Sequence, residues 1–177
     1  NDVDWDSTKN APLGDDTEQF TGTFDGNYYA VNGIKVSSGK YGGLFGSAKV
    51  ATIKNVGVRD GSVKANYAGG IVGKAEGTVT VKKDEKGGVI STTSTMNLKN
   101  VYNEGVSVQA TAAKGDAAYW AGGLVGYADQ VMIDTAYNKG KILSAYGGGI
   151  FGYGKSSSAT NVYNVAVVST NNDGAFT

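Results

Sequence analysis

The chain has 177 residues with 16 basic and 16 acidic side chains, a formal net charge of +0, and neither cysteine nor histidine. That composition excludes a disulfide framework, thiolate and imidazole metal sites, and any Ser-His or Cys-His nucleophile within this segment. Electroneutrality with Arg59 as the lone arginine argues against nucleic acid as a partner, and no apolar run approaches the roughly 20 residues of a membrane span, so direct membrane insertion is not expected.

Residues 1–19 are polar and turn-rich, with Trp5, Pro12-Leu13-Gly14 and Asp15-Asp16, and read as a lead-in or cap. Such a segment could cover open strand edges, which otherwise invite pairing with another chain. From Phe20 the alternation of Phe20, Gly22 and Phe24, and of Ile34 and Val36, has the two-residue period of short half-buried strands. Asp25-Gly26 and Asn32-Gly33 supply turns between them.

Then one phrase is written four times: Gly43-Leu44-Phe45-Gly46, Gly70-Ile71-Val72-Gly73, Gly123-Leu124-Val125-Gly126 and Gly149-Ile150-Phe151-Gly152. A second phrase follows each: Ile53-Lys54-Asn55-Val56, Leu98-Lys99-Asn100-Val101, Ile133-Asp134-Thr135-Ala136 and Ala159-Thr160-Asn161-Val162. The spacing between the two phrases is equal in three copies and longer in the second, so a common unit of roughly 26 residues carries an insertion there. Each unit also holds a third short apolar stretch, such as Ser62-Val63-Lys64, Val106-Ser107-Val108 or Lys141-Ile142-Leu143. A unit this small cannot bury enough apolar surface by itself and is stabilised by its neighbours. Glycine at 28 residues with one proline suits tight corners between strands, and no Gly-free amphipathic stretch predicts a helix.

These features predict an all-β fold: a right-handed parallel β-helix, or β-solenoid, of about five or six coils over residues 20–177. Two insertions interrupt it, 74–96 and 110–119. The first carries Thr78–Val81 and Val89–Thr93 around a charged loop and predicts a projecting β-hairpin. The ending, through Gly174-Ala175-Phe176, resembles the start of a fifth phrase, so the chain reads as an excised or processed piece. Stacking predicts ladders of like residues: Leu44, Ile71, Leu124 and Ile150 inward, with Phe45, Val72, Val125 and Phe151 on the opposite face of their strand or at its corner. Tyr102, Tyr137 and Tyr163 share one register and Asn103, Asn138 and Asn164 the next. Tyr67, Trp120 and Tyr146 share another, and Asn55, Asn100 and Asn161 form a corner column able to hydrogen-bond along the stack.

The repeated Gly-Leu-Phe-Gly phrase, its three echoes, the Asn-Val-Tyr-Asn phrase and the opening Phe20–Asn27 resemble the GLUG-repeat proteins over nearly the whole chain outside the insertions. The resemblance implies a β-helical repeat region of large bacterial surface or secreted proteins, including adhesins and some immunoglobulin-cleaving proteases, with the repeats themselves non-catalytic. The expected role is a secreted or cell-surface stalk or presentation platform in adhesion, with no cofactor. Its partners would be a host or neighbouring-cell surface protein or glycan, or further copies of itself. Two other readings remain open at this point: a filament subunit assembled by end-to-end stacking, and a spacer or accessory β-helix of a secreted protease or polysaccharide-acting enzyme. Acidic clusters (Asp2/Asp4/Asp6, Asp15-Asp16, Asp84-Glu85) fall in predicted loops and read as solvated charge rather than catalytic or calcium sites. Candidate partner contacts are Lys82, Lys83, Asp84, Glu85 and Lys86 at the hairpin tip, with Tyr119, Tyr127 and Tyr153 as exposed aromatics.

Overall fold

The computed structural model describes residues 1–37, 39–111 and 119–169. The described residues are all-β, 68% strand with no helix among them, and their large parallel sheet curls through 262° until it is nearly closed. That sheet has 12 strands, and a second, four-stranded parallel sheet is made of Tyr41–Gly42, Tyr67–Gly69, Trp120–Gly122 and Gly147–Gly148. The antiparallel pair Val79–Lys83 and Val89–Ser94 forms the third.

Repeat copies lie side by side in register. Ile53 pairs with Leu98 and Leu98 with Ile133, which in turn pairs with Ala159. Val63 pairs with Val108 and Val108 with Ile142. Phe45 pairs with Val72, Val72 with Val125 and Val125 with Phe151. Three sets of left-handed residues turn the chain between these segments. One is Asn55 (φ 54°), Asn100 (51°), Thr135 (57°) and Asn161 (53°). A second is Val50 (51°), Gln130 (58°) and Ser156 (48°), and a third is Gly33, Asp60 and Gly105. A left-handed residue resets the inward–outward alternation, so Ile53 and Val56 are both buried on either side of the Asn55 corner.

The core is one continuous cluster running through these columns. Leu44, Ile71 and Leu124 are buried, and so are Phe45, Val72 and Val125. Both residues of the repeated phrase therefore face inward, because the chain bends at Gly43-Leu44 and again at the equivalent positions, which favours the corner over the opposite strand face. The closing glycine has its own reason. At Gly126 a Cβ would lie 2.7 Å from the Ala68 nitrogen and 2.7 Å from the Gly73 oxygen, where the two sheets approach. Ile150, Phe151, Ala159 and Val162, the last members of their columns, are only partly buried.

Lys74 and Glu76 keep parallel register with Ser47 and Lys49 on one side and Tyr127 and Asp129 on the other. Only residues 77–95 depart from it, a shorter excursion than the 74–96 of the sequence reading. At the amino end Val3–Asp4 pairs with Val31 and Asn32, Leu13 bridges to Phe45, and Trp5 packs against the core. The Gly174-Ala175-Phe176 phrase and residues 112–118 of the second insertion lie outside the described residues.

Truncating a fully covered column residue leaves a cavity that neighbours above and below cannot fill. Leu124→Ala should cost about 2–5 kcal/mol in urea unfolding, and Ile150→Ala clearly less because it is only partly buried. Equal costs would contradict the packing order.

Candidate functional site

The outward surface is organised as ladders. At the Asn55 corner, Asn100 Nδ2 donates to Asn55 Oδ1 at 2.9 Å and Asn55 Nδ2 donates to Asp25 Oδ1 at 3.0 Å. Thr135 interrupts this ladder, and Asn161 Nδ2 donates instead to Asp134 Oδ1 at 3.0 Å. A second asparagine column lies inside. Asn103 and Asn138 are fully buried, pair in register, and each closes a local turn: Asn103 Oδ1 accepts from the Val106 N–H, and Asn138 Oδ1 from the Gly140 N–H. Asn138 Nδ2 reaches on to Asn164 Oδ1 at 2.7 Å. Buried amides with every partner supplied fix the register more tightly than apolar packing alone, because a slip would orphan them.

Aromatic residues form two further columns. Tyr102, Tyr137 and Tyr163 stack nearly parallel, with ring centroids 5.0 Å and 5.3 Å apart. The ring of Tyr102 sits over Gly57, where any Cβ would occupy the ring's position. Tyr41, Tyr67 and Trp120 stack at 5.3 Å and 5.2 Å, and Tyr127 stacks on Tyr153 at 5.2 Å beside them. Tyr146 follows Trp120 in register but turns to meet Tyr119 edge-on at 5.7 Å. A shallow cavity of about 230 Å³ lies along this second column between Lys40, Tyr67, Lys74, Glu76 and Tyr127. Rings stacked on one another show their edges to solvent, and a sugar ring needs a free aromatic face. The cavity therefore offers polar contacts along an aromatic edge rather than a stacking platform.

Charged residues stitch neighbouring segments together. Arg59 contacts Asp2 at 2.7 Å and Glu104 at 3.3 Å, and Lys139 reaches Glu104 at 3.0 Å. Lys139 is the main cause of the lowered Glu104 pKa. Burial alone would raise Glu76, but hydrogen bonds from Lys74 and Gln19 outweigh it and its pKa is lowered. Burial, followed by the Asp16 hydrogen bond, pushes the Tyr41 phenol up to about 12. Among the described residues no group of three or more Asp or Glu is placed to hold a metal ion.

The hairpin-tip residues Lys82, Lys83, Asp84, Glu85 and Lys86 are all exposed. The Asp84 carboxylate accepts the Lys86 and Gly88 N–H groups at 2.9 Å and 2.7 Å, so it builds its own turn. Val81, Val89 and Ile90 stand exposed on the same hairpin. Tyr119 and Tyr127 are half-buried and Tyr153 is exposed; all three lie beside the Trp120 column, and the hairpin belongs to a separate sheet. Sequence reasoning missed Tyr41, which precedes its glycine by one residue fewer than Tyr67 does. It also missed the Arg59–Glu104–Lys139 column, whose signal was available: Glu104 and Lys139 each follow the Tyr-Asn pair directly.

No family model, no curated protein and no solved structure matches this chain.

The Asp25 carboxylate, at the head of the corner ladder, accepts from the Asn27 N–H, Asn55 Nδ2 and Lys54, and these hold its pKa down at about 2. An unfolded aspartate titrates near about 3.9, so the stability this carboxylate adds is complete above that pH and lost as pH falls towards 2. In thermal melts between pH 5 and pH 2, Asp25→Asn should therefore lose less stability on acidification than the parent chain. An identical slope would show that the corner carboxylate is uncoupled from folding.

Proposed function

We propose that this chain is a right-handed parallel β-helix, a β-solenoid of about five or six coils with a projecting hairpin, that serves as a non-catalytic extracellular module. Its role is that of a rigid stalk or presentation platform in a bacterial surface adhesin, with residues 1–19 as its cap. The observation that carries this reading is that repeat-equivalent residues are register partners on every face: Tyr102, Tyr137 and Tyr163, Asn103, Asn138 and Asn164, and Val63, Val108 and Ile142. Such a body is stiff along its axis because each step is tied to the next by backbone hydrogen bonds, buried amides and stacked rings. The Gly-Leu-Phe-Gly resemblance to GLUG-repeat proteins supports the same assignment and the bacterial surface location.

Side chains on the outer columns are occupied with their own register neighbours, which suits mechanical support. The hairpin differs, with exposed Val81, Val89 and Ile90 beside the lysines of its tip. It combines apolar area with charge, the composition of a protein contact. The ligand of the platform is accordingly a surface protein or glycan of a host or neighbouring cell, met first at the hairpin.

Binding of the purified chain to arrayed glycans and immobilised host-matrix proteins tests this. At least one surface should bind, and Ile90→Lys with Lys83→Glu should weaken it about tenfold or more without lowering the melting temperature. Absence of binding at about 100 μM, well above ordinary module affinities, would reduce the adhesive role to a mechanical one.

A further inference from the structure

We infer that the second strand of the hairpin, Val89–Ser94, pairs antiparallel with the same strand of a second copy of this chain, closing a two-fold dimer around a four-stranded sheet. Such pairing goes beyond the adhesive reading and does not need it, since a chain that binds no foreign surface would still pair this way.

The hairpin is a two-stranded sheet of its own, and among the described residues neither Val79–Lys83 nor Val89–Ser94 has a second partner strand. The described residues run unbroken from 39 to 111, so no gap borders either strand. Two strands alone are marginally stable in water without a third strand or a packed face. This pair has little packing to rely on, with Val81, Val89 and Ile90 at 44%, 63% and 67% exposed.

Its two edges differ. Val79–Lys83 carries Lys82 and Lys83, and its Val79 N–H is taken by Gln130 Oε1 at 3.0 Å. Lysine on an edge strand discourages pairing, and two copies meeting there would bring four ammonium groups together. The other strand reads Val-Ile-Ser-Thr-Thr-Ser, with no charge and no proline. Nothing in it keeps a further strand away.

The hydrogen bonds locate the centre of that edge. Thr95 N–H donates to Thr78 O at 3.1 Å, and the register continues with Val79 opposite Ser94, Thr80 opposite Thr93 and Val81 opposite Thr92. Opposed residues of an antiparallel pair alternate between bonding each other and turning their backbone groups away. Thr93 therefore bonds inwards to Thr80, and Thr92 presents both its N–H and its C=O outwards. Towards the tip the register shifts and leaves Ile90 unpaired; towards the base the Ser94 carbonyl already accepts Asn97 Nδ2 at 2.6 Å. Thr92 is thus the middle of the free edge.

An antiparallel pair is symmetric about such a residue. Thr92 of each copy exchanges both bonds with Thr92 of the other, and Ser91 lies opposite Thr93 on either side. The same uncharged edge serves both partners. A two-fold contact closes at two copies and leaves only the lysine-bearing edges outside. A strand of 6 residues is a small contact, so the dimer belongs to the weak, concentration-dependent class.

Sedimentation velocity of the full chain across about 5–500 μM tests the inference. Average mass should rise with concentration and level off at two chains. Raising salt from about 0.05 M to about 0.5 M should change the association less than about twofold, because the edge carries no charge. Thr92→Pro removes the central outward N–H and should stay monomeric throughout. Val81→Pro is its control: Val81 lies opposite Thr92, so its N–H also faces away from the partner strand, and proline there burdens the hairpin equally. It should dimerise like the parent. A parent chain that stays monomeric with its native melt overturns the inference and leaves the adhesive reading to its own binding assay. Loss of association in Val81→Pro alone would place the contact on the lysine-bearing edge, and loss in both variants would tie it to the fold of the hairpin. Association of both variants, growth beyond two chains or strong weakening by salt would assign it to another surface. Each of these results overturns it as well.

Discussion

Everything in this molecule depends on parallel strands held in register through left-handed corners. A parallel layer pairs its N–H and C=O groups with layers on either side, and it can do so only if each copy of the repeat bends at equivalent residues. Asn55, Asn100, Thr135 and Asn161 supply one set of bends with φ between 51° and 57°. Asparagine tolerates that conformation, and its amide then bonds to the neighbouring copy, so corner shape and axial cohesion come from one side chain. Val50 adopts φ 51° at another corner, where a β-branched residue is strained. The register of Lys49, Glu76, Asp129 and Lys155 along the adjoining strands over-determines the bend and holds it in place.

Register then dictates what each surface can be. Inside, equivalent positions stack aliphatic on aliphatic and form a single core without a layer boundary. Buried Asn103 and Asn138 punctuate it, and their satisfied amides make a one-step slip costly. Outside, tyrosines and charges repeat at one layer spacing and bind each other. A surface built this way has spent its ring faces and ion pairs on its own register neighbours. The excursion of residues 77–95 leaves that register and pairs as an antiparallel hairpin of its own.

Much of this was legible in the sequence because a fixed repeat makes register a spelling rule. The Tyr102, Tyr137 and Tyr163 column and the Asn103, Asn138 and Asn164 column could be read by aligning copies, and both are register partners. The inward facing of both Leu44 and Phe45 was not fixed by strand alternation, because bending at Gly43 breaks the period of two. Val50, Gln130 and Ser156 share a corner but no chemistry that announces one, so that column was invisible. Tyr41 was missed because the copies shift by one residue between Gly42–Ala68 and Phe45–Val72, a bulge that spacing alone cannot locate. The two arms of the hairpin were foreseen, but the insertion that holds them was drawn too wide, since Lys74 and Glu76 continue the Gly-Ile-Val-Gly strand before the chain leaves it. Candidate contacts were harder still: nothing in the spelling of Tyr119, Tyr127 and Tyr153 says that their neighbours occupy them.

Register can be measured directly in a chain that has no native cysteine. Lys54, Lys99 and Asp134 occupy successive positions of one outward column, as Lys54 pairs with Lys99 and Lys99 with Asp134. Cysteine pairs at Lys54 with Lys99, and at Lys99 with Asp134, place their Cα atoms about 5 Å apart, within reach of oxidative or short bifunctional cross-linking. A pair at Lys54 with Asp134 is separated by two layers, about 10 Å, and should stay reduced under the same oxidation. Cross-linking of both neighbouring pairs and not of the skipped pair is the result expected. Rapid cross-linking of Lys54→Cys to Asp134→Cys within one chain, with the adjacent pairs unreactive, would contradict the layer order.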